Sequence, residues 1–512
     1  MIIIYHQNNK VTSIWNKLEG QPIERTNFPI TESLFAVAKM FPYSLVIWCH
    51  DSQKDNLNFE GITEIFHHKK IMASFSPNSN YLTDDIGYVE DSPFIKVNKN
   101  VQYPTWQMGS LVGGIYASVL NASQGKIIAD NDFDYFLNSL SKQTMLNGLL
   151  CYSEPRLLLN KTDYIALKTN TQTLFRFVKQ HYKLVWVLLL LLNLFLYERR
   201  IPFIAFLKCL FYKKRKINST ILDSIEIQSS RKVINTQSID VVIPTIGRKE
   251  YLYDILIDLN DQTHLPANVI IVEQNPDVDS QSELDYLFSQ KWNFKIIHTF
   301  THQAGACNAR NIALAHVISE WTFLADDDIR IENDFLEKAI FEIKKTGNLA
   351  FTFNCLRVNE KVIFKTIKQW GTFGSGCSLV KSETFRNISF DIRYEFGFGE
   401  DADFGMQLRN QGIDVVYIPQ PQILHIKAPI GGFRTKSILT WHKEKIPPKP
   451  SPTVMLYKLL HCTKSQLLGY KTLLIIKFYT RQSIKNPLLY YKQFKKQWKI
   501  SSKWANYLKE HN

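Results

Sequence analysis

The stretch WTFLADDDIRIE, residues 321–332, decides the fold of the second half of the chain. Its short apolar run stops at three successive aspartates, Asp326, Asp327 and Asp328. Like charges repel one another, so three carboxylates in a row are either solvated or hold something positive. Apolar runs and helical segments alternate around this stretch, which places the aspartates at the carboxyl end of a parallel strand. That edge is where parallel sheets bind their ligands.

The alternation extends in both directions from the aspartates. IDVVIPT and NVIIVEQN predict buried strands, whereas KEYLYDILIDLNDQ and ACNARNIALAHVI predict helices. Continuous apolar strands between helices indicate an α/β fold with a mainly parallel sheet that is covered on both faces. Glu400 and Asp401 begin a later predicted helix, and His425 ends a later strand. Carboxylates with an imidazole favour a divalent cation such as magnesium or manganese.

Six segments resemble, in order, the family 2 glycosyltransferases. They are VVIPTIGRKEYL, the Gln and Pro of DQTHLPANVIIVEQNPD, GACNARNIAL, WTFLADDDI, GSGCSLVKSETF with FD after it, and GFGEDADFGMQLRNQG. The resemblance spans residues 239 to about 430 and is silent on the remainder of the chain. It implies the GT-A fold, a Rossmann-like mixed sheet, and a transferase that uses a nucleotide-sugar donor.

The resemblance also implies roles for individual residues. The donor would contact Pro244, Thr245, Arg248, Glu273, Arg310 and Asp326. Glu273 stands where the family usually has aspartate. A divalent metal would be held by Asp326, Asp328 and His425. The wall beneath the donor sugar and the acceptor would be Gly374, Ser375 and Gly376. Asp401 would be the general base, with Glu400 as the alternative. Apart from the resemblance, Asp327 is expected to be structural, because side chains alternate along a strand and only two of the three aspartates can face one site.

Inversion with one sugar per encounter is the expected outcome. A single base with no evident nucleophile favours direct displacement. The Q-x-x-R-W motif of processive family members is absent, because Gln407 is followed by Leu-Arg-Asn-Gln. The competing function is an inactive scaffold on the same fold. A sugar nucleotidyltransferase is disfavoured because PTIGRKE contains a single glycine.

The other predicted parts of the chain are an N-terminal α/β domain of unknown role (1–175), a hydrophobic segment (183–216), a polar linker (217–238) and a helical tail (446–512). The uninterrupted apolar part of the hydrophobic segment is shorter than the roughly 20 residues that span a bilayer. An in-plane membrane hairpin with basic flanks is the interpretation we favour, and a buried core helix is the alternative.

Positive charge is concentrated in the tail. Residues 445–512 contain thirteen lysines and one arginine against one glutamate, interleaved with Leu, Tyr, Phe and Trp. Such segments suit an anionic membrane surface, and no nucleic-acid recognition motif accompanies them. Together with the hydrophobic segment, they predict attachment to the cytosolic face of the cell membrane and a glycan acceptor that is lipid-linked.

Two further features bear on the first domain. IIADNDFDYF, residues 127–136, also ends an apolar run with several acids, but no ARN segment accompanies it. A solvated turn is expected there in preference to a second metal site. No internal repeat of fixed period is evident. The seven cysteines are scattered and never spaced as C-x-x-C, which favours reduced thiols.

Overall fold

The computed structural model describes residues 1–24, 28–164, 168–429 and 438–511. It divides into two compact units. Unit 1 comprises Met1–Arg231 and Cys462–Phe478, and unit 2 comprises Lys232–His461 and Tyr479–Asn512. The predicted tail is therefore shared between the units.

The elements up to residue 231 are β1 (Ile2–Gln7), β2 (Lys10–Asn16), β3 (Gln21–Pro22), α1 (Ile30–Met40), β4 (Leu45–His50), α2 (Phe59–Ile65), β5 (Ile71–Phe75), β6 (Tyr103–Pro104), β7 (Val112–Tyr116), α3 (Ala117–Ser123), α4 (Phe133–Thr144), β8 (Leu150–Ser153), α5 (Thr171–His181), α6 (Leu184–Glu198) and α7 (Phe203–Leu210). The strands form one sheet in the order β3-β2-β1-β4-β7-β5-β8-β6. β4 runs parallel to β1, β7 runs antiparallel to β4 and β5, and β8 runs parallel to β5.

Both faces of this first sheet are covered, which explains its apolar strands. One face packs α1, α4 and α5 over Val46, Trp48 and Met72, and the other packs α2 over Ile47 and Ala73. The predicted N-terminal α/β fold is present.

The predicted hydrophobic segment forms α6 and α7. Their inner residues, including Leu190 and Leu194, join the core of unit 1. Among the described residues, no helix is both long and apolar enough to cross a membrane. The predicted linker has neither helix nor strand, and within it Ile221, Leu222 and Ile225 are buried in the same core.

The remaining elements are β9 (Ile239–Thr245), α8 (Lys249–Asn260), β10 (Asn268–Gln274), α9 (Tyr286–Ser289), β11 (Lys295–Thr301), α10 (Ala306–Leu314), β12 (Trp321–Ala325), β13 (Ile329–Ile331), α11 (Phe335–Thr346), β14 (Ala350–Arg357), β15 (Lys368–Gln369), β16 (Cys377–Lys381), α12 (Glu400–Asn410), β17 (Val415–His425), α13 (Pro452–His461), α14 (Lys464–Tyr479) and α15 (Pro487–Glu510). The sheet order is β11-β10-β9-β12-β16-β14-β17-β13, and β15 also pairs with β17. The tail is helical, as predicted.

The second sheet is mixed, and its parallel part positions the site. β11, β10, β9 and β12 are mutually parallel, whereas β16 is antiparallel to β12 and β14. Thr245, Glu273 and Asp326 therefore lie at or just beyond one edge of the sheet, as the sequence predicted. β9, β10 and β12 are buried on both faces, with Val241 and Phe323 in the main core, whereas the edge strand β11 is partly exposed.

The prediction of a solvated turn at residues 127–136 holds for Asn131 and Asp132, which are exposed, and is wrong for Asp130. Asp130 is buried and forms ion pairs with Arg215 and Arg176. Asp132 caps the start of α4, where its side chain accepts the Tyr135 N–H. These arginines lie more than 40 residues downstream, so local sequence could not reveal the pairing.

Candidate active site

The three aspartates that follow β12 have different surroundings. Asp326 has 37% of its side chain exposed, whereas the side chains of Asp327 and Asp328 are almost fully buried. β12 ends at Ala325, and Asp327 and Asp328 form a turn in which both carboxylates lie near Arg248, whereas Asp326 faces Arg310.

Asp327 is a structural anchor. Its carboxylate accepts hydrogen bonds from the Thr245 hydroxyl (2.7 Å) and from Arg248 (2.5 Å). Thr245 and Arg248 were both predicted to line the nucleotide pocket, and Pro244 precedes Thr245 at the end of β9. The anchor ties the end of β9 to the loop after β12.

Asp328 and His425 form a second pair. The His425 Nε2 lies 3.3 Å from the Asp328 carboxylate, which also accepts the Ala428 N–H at 2.9 Å and lies 3.4 Å from Arg248. Burial alone would raise the pKa of Asp328, but the hydrogen bond from His425 and the charge of Arg248 hold it below its usual value. The same hydrogen bond raises the pKa of His425.

Asp326 faces α10 and the loop before β16. Arg310 donates to its carboxylate at 3.0 Å, and the Asp326 N–H donates to the Gly376 carbonyl at 3.2 Å. The Gly376 backbone lies so close that a Cβ there would sit 2.0 Å from the Asp326 Oδ2. Glycine at residue 376 therefore leaves room for this carboxylate.

Asp401 lies on the other side of the same loop, at the second residue of α12. Its carboxylate accepts the Ser375 N–H at 3.2 Å. Burial raises the pKa of Asp401, and Arg310 opposes that shift. Burial and the Asp401 charge raise the pKa of Glu400 to about 7. Loop residues 374–376 thus connect the predicted donor side with the predicted base.

The Glu273 carboxylate is held in place by hydrogen bonds from residues around it. Its carboxylate accepts hydrogen bonds from the Ser282 hydroxyl (2.5 Å) and the Glu283 N–H (3.1 Å), and it lies 2.9 Å from the His298 Nε2. Burial would raise the pKa of Glu273, and the hydrogen bonds from His298 and Ser282 more than offset it. Sequence reasoning missed His298, which lies on β11 directly beside β10.

Sequence reasoning also missed Glu395, which caps α10. Its carboxylate accepts the N–H groups of Cys307 (3.2 Å) and Asn308 (2.8 Å). Gly305 precedes the helix with φ of 152°, and a Cβ there would lie 2.4 Å from the same carboxylate. The N-terminus of α10 is a natural anion site, and Glu395 occupies it, which fixes the helix that carries Arg310.

Sequence reasoning also missed a third set of contacts, which stabilises α12. Asp403 is buried and accepts hydrogen bonds from Gln407 (2.7 Å) and Tyr394 (3.3 Å), and the His461 Nε2 lies 2.6 Å from it. His461 comes from α13, in the predicted tail. No sequence signal links a residue of the tail to this helix.

The predicted metal ligands form only a partial site. Within the described ranges, no group of three or more His, Cys, Asp or Glu side chains is arranged to hold a metal ion. Asp328 and His425 are in contact, and Asp326 is exposed two residues before Asp328. Their donor atoms, carboxylate oxygens and an imidazole nitrogen, fit manganese or magnesium by type.

Residues 240–403 match the family model described as Glycosyl transferase family 2. Unit 2 contains a family 2 glycosyltransferase domain. The prediction of family and enzyme class is confirmed over these residues. The matched region contains Asp326, Asp328 and Asp401, whereas His425 lies outside it.

Several solved structures have a weaker similarity to this chain. S. aureus TarS 1-349 is 18% identical with a TM-score of 0.31, over 37% of this chain and 60% of that one. Its complex with UDP-GlcNAc is 14% identical with a TM-score of 0.35, over 53% and 83%. GalNAc-T7 with UDP, GalNAc and Mn2+ is 11% identical with a TM-score of 0.31, over 37% and 44%. Such values identify no substrate, and the search of curated proteins gave no match.

Proposed function

We propose that unit 2 transfers one sugar from a nucleotide-sugar donor to an acceptor hydroxyl, with inversion at the anomeric carbon. The observation that carries this proposal is the pair of Asp326 and Arg310 on one side of the loop formed by residues 374–376, with Asp401 on the other side. Burial alone would lower the pKa of Arg310, and the charges of Asp326 and Asp401 raise it. Asp326 accepts a hydrogen bond from Arg310, and Asp401 accepts one from the Ser375 N–H.

The roles of the residues follow from their chemistry. Asp401 accepts the proton of the acceptor hydroxyl while the acceptor oxygen bonds to the anomeric carbon and the bond to the diphosphate breaks. The Ser375 N–H orients the Asp401 carboxylate. Asp326 and Arg310 lie where the family resemblance implies donor contacts.

A divalent ion is part of the proposal. Asp328, His425 and Asp326 would hold it, and when bound it would stabilise the negative charge of the leaving diphosphate. Asp328 is already ionised in this setting, because His425 and Arg248 lower its pKa. That ionisation suits a metal ligand, which binds as carboxylate.

The test is donor turnover. A screen of nucleotide sugars with manganese or magnesium for thermal stabilisation identifies the donor. We expect Asp401→Asn to lower transfer by about 10²- to 10⁴-fold, the usual contribution of a general base, while donor binding persists. Undiminished turnover by Asp401→Asn would refute the assignment of the general base, and undiminished turnover in excess chelator would mean a reaction without metal. No turnover with any nucleotide sugar would favour the alternative, an inactive scaffold.

The proposed location is the cytosolic face of an anionic membrane, with a lipid-linked acceptor. The support is the outward face of α6 and α7 in unit 1. Eleven large apolar side chains there are exposed: Leu184, Val185, Leu188, Phe195, Leu196, Ile201, Phe203, Ile204, Leu207, Leu210 and Phe211. Soluble surfaces rarely expose so many contiguous apolar residues.

Basic residues flank this apolar face. Lys183 precedes α6, Arg199 follows it, and Lys213 and Lys214 follow α7, all exposed. Each basic residue near an anionic leaflet contributes about 1 kcal/mol. Arg215, counted in the predicted basic flank, instead points inward to Asp130. Apolar insertion with a basic rim is the pattern of an in-plane membrane helix.

Vesicle binding tests the location. We expect the full chain to co-sediment with phosphatidylcholine vesicles that contain phosphatidylglycerol, and less with pure phosphatidylcholine. Ile204→Glu should weaken sedimentation, whereas Ile318→Glu, an equally exposed isoleucine in unit 2, should not. If Ile204→Glu dissociates a dimer in solution and does not change vesicle binding, the apolar face is a protein interface and the membrane proposal fails.

A further inference from the structure

Unit 1 repeats the central part of the glycosyltransferase sheet. In unit 2 the strands β12-β16-β14-β17 are neighbours, and β15 pairs with β17. In unit 1 the strands β4-β7-β5-β8 are neighbours, and β6 pairs with β8. Each strand has the same direction relative to its neighbours as its counterpart, and the chain visits the counterparts in the same order.

The strand registers let the two sheets be matched residue by residue. Cys49, the second-to-last residue of β4, pairs with Val112 at the start of β7. Ala325 at the end of β12 pairs with Cys377 at the start of β16. Cys49 therefore corresponds to Ala325, and the residue after it corresponds to Asp326.

A backbone hydrogen bond beside the site supports this match. The N–H of Asp326 donates to the carbonyl of Gly376, the residue before β16. The N–H of His50 donates to the carbonyl of Leu111, the residue before β7, at 2.7 Å. His50 thus occupies the position of Asp326.

The counterpart of the predicted base is Asp134. Asp401 is the second residue of α12 and accepts the Ser375 N–H. Asp134 is the second residue of α4 and accepts the N–H and the hydroxyl of Ser110, both at 2.8 Å. Ser110 and Ser375 each lie two residues before the following strand.

Unit 1 lacks the counterpart of the donor side. His50, Asp51 and Ser52 stand where unit 2 has three aspartates. Of residues 8–44, those that the structure describes contain β2, β3 and α1, whereas unit 2 has β10, which carries Glu273, and α10 between β9 and β12. The described part of unit 1 therefore has no counterpart of the side chains that are predicted to bind the diphosphate and the nucleobase of a donor.

A polar cavity remains beside Asp134. It accommodates about one water molecule, and Lys99 and Asn80 flank it. Ser153, at the end of β8, lines it and is fully buried, yet its hydroxyl has no hydrogen-bond partner. A buried unpaired hydroxyl is costly unless a ligand or water satisfies it.

We propose that this cavity binds one hydroxyl of a saccharide in the acceptor glycan, with no transfer at unit 1. A sugar hydroxyl donates to the Asp134 carboxylate and accepts from Ser153 or Lys99. Uncharged polyhydroxyl ligands suit a site that offers both a carboxylate and an ammonium group. The proposal rests on the proposed function of unit 2, because it assigns the captured saccharide to the acceptor.

Ser153→Ala is the sharpest variant because removing an unpaired hydroxyl leaves the fold intact. The full chain is titrated with N-acetylglucosamine, glucose, galactose and mannose, and binding is monitored by ligand-observed NMR. We expect at least one of these sugars to bind. Ser153→Ala should weaken this binding roughly two- to tenfold, the range for one hydrogen bond. Ser33→Ala on α1, another buried hydroxyl without a partner, is the matched control and should not change it.

Asp134→Asn and Asp401→Asn separate the two sites. Asp134→Asn should also weaken binding, whereas Asp401→Asn should leave this component of binding in place and abolish transfer. If no sugar binds, if Ser153→Ala binds as well as Ser33→Ala, or if Asp401→Asn removes all binding, the cavity holds only water and the proposal is wrong. Undiminished transfer by Asp401→Asn would instead refute the proposed function of unit 2.

Discussion

Replacing Gly376 with alanine tests whether Asp326 must stay where the structure places it. The added Cβ would lie 2.0 Å from Oδ2 and 2.2 Å from Cγ of Asp326, whereas ordinary contact begins at 3.4 Å. The carboxylate must therefore move by about 1.4 Å or more. Because 37% of the Asp326 side chain is exposed, it can swing toward solvent without rearranging the core.

This displacement should impair catalysis more than folding. A shift of about 1 Å at a reacting centre costs on the order of 10²-fold in rate, and we expect a fall of that size in kcat/KM for the donor. The lost hydrogen bond between Arg310 and Asp326 should lower the free energy of unfolding by about 1–3 kcal/mol. Initial rates of nucleotide release and urea unfolding measure the two effects.

A double-mutant cycle identifies the cause. If Gly376→Ala acts through Asp326, the double variant with Asp326→Ala should be no slower than Asp326→Ala alone. Additive losses would mean that residue 376 acts elsewhere in the site. Full activity of Gly376→Ala would refute the assignment of Asp326 to the donor.

Three more outcomes are expected. Because burial raises the pKa of Asp401 and its ionised form is the base, kcat/KM should fall on acidification at a higher pH than an ordinary carboxyl would give. His425→Gln should shrink the thermal stabilisation by manganese, since one ligand is lost, without abolishing the fold. Burial alone would raise the pKa of Glu320, but hydrogen bonds from Lys381 and from backbone N–H groups lower it from 4.5 to about 2. The ionised Glu320 therefore stabilises the fold above about pH 4.5, and this contribution is lost as the pH falls toward 2. Glu320→Gln should therefore lower the free energy of unfolding by about 1–3 kcal/mol at pH 7, and the difference from wild type should shrink at pH 3 in urea titrations.

The part of the site that sequence predicts best is the part that follows strands directly. Asp326, Asp327 and Asp328 come after an apolar run, and parallel strands end at one edge of the sheet. Asp327 has the expected structural role, although it lies in a turn and not in the extended strand on which that expectation rested. Thr245, which also ends a strand, provides its partner.

Groups that meet only in the folded chain were missed. Glu395 caps a helix that begins about 90 residues earlier, and His461 reaches Asp403 from the tail. Arg215 and Asp130 pair over 85 residues. Periodicity and local motifs describe one element at a time, so they cannot assign partners at such separations.

The repeat in unit 1 could not be recognised from the sequence, because a sheet constrains the pattern of apolar residues more than it constrains which apolar residues they are. Strands that are buried on both faces need apolar side chains, and many combinations satisfy that need. Strand order and backbone hydrogen bonds carry the likeness, together with a serine before one strand and an aspartate at the second position of a helix.

Some features of the candidate site in unit 2 also occur in unit 1, and those shared features do not by themselves bear on catalysis. The hydrogen bond from a serine N–H to the carboxylate of the following helix occurs in both, at Asp134 and at Asp401. This geometry persists where the three aspartates of the donor side are absent, so it does not by itself indicate a transferase. What distinguishes unit 2 is Asp326 paired with Arg310, where unit 1 has His50. The donor-side pair therefore carries the functional assignment, and variants of Asp326 test it more directly than variants of Asp401.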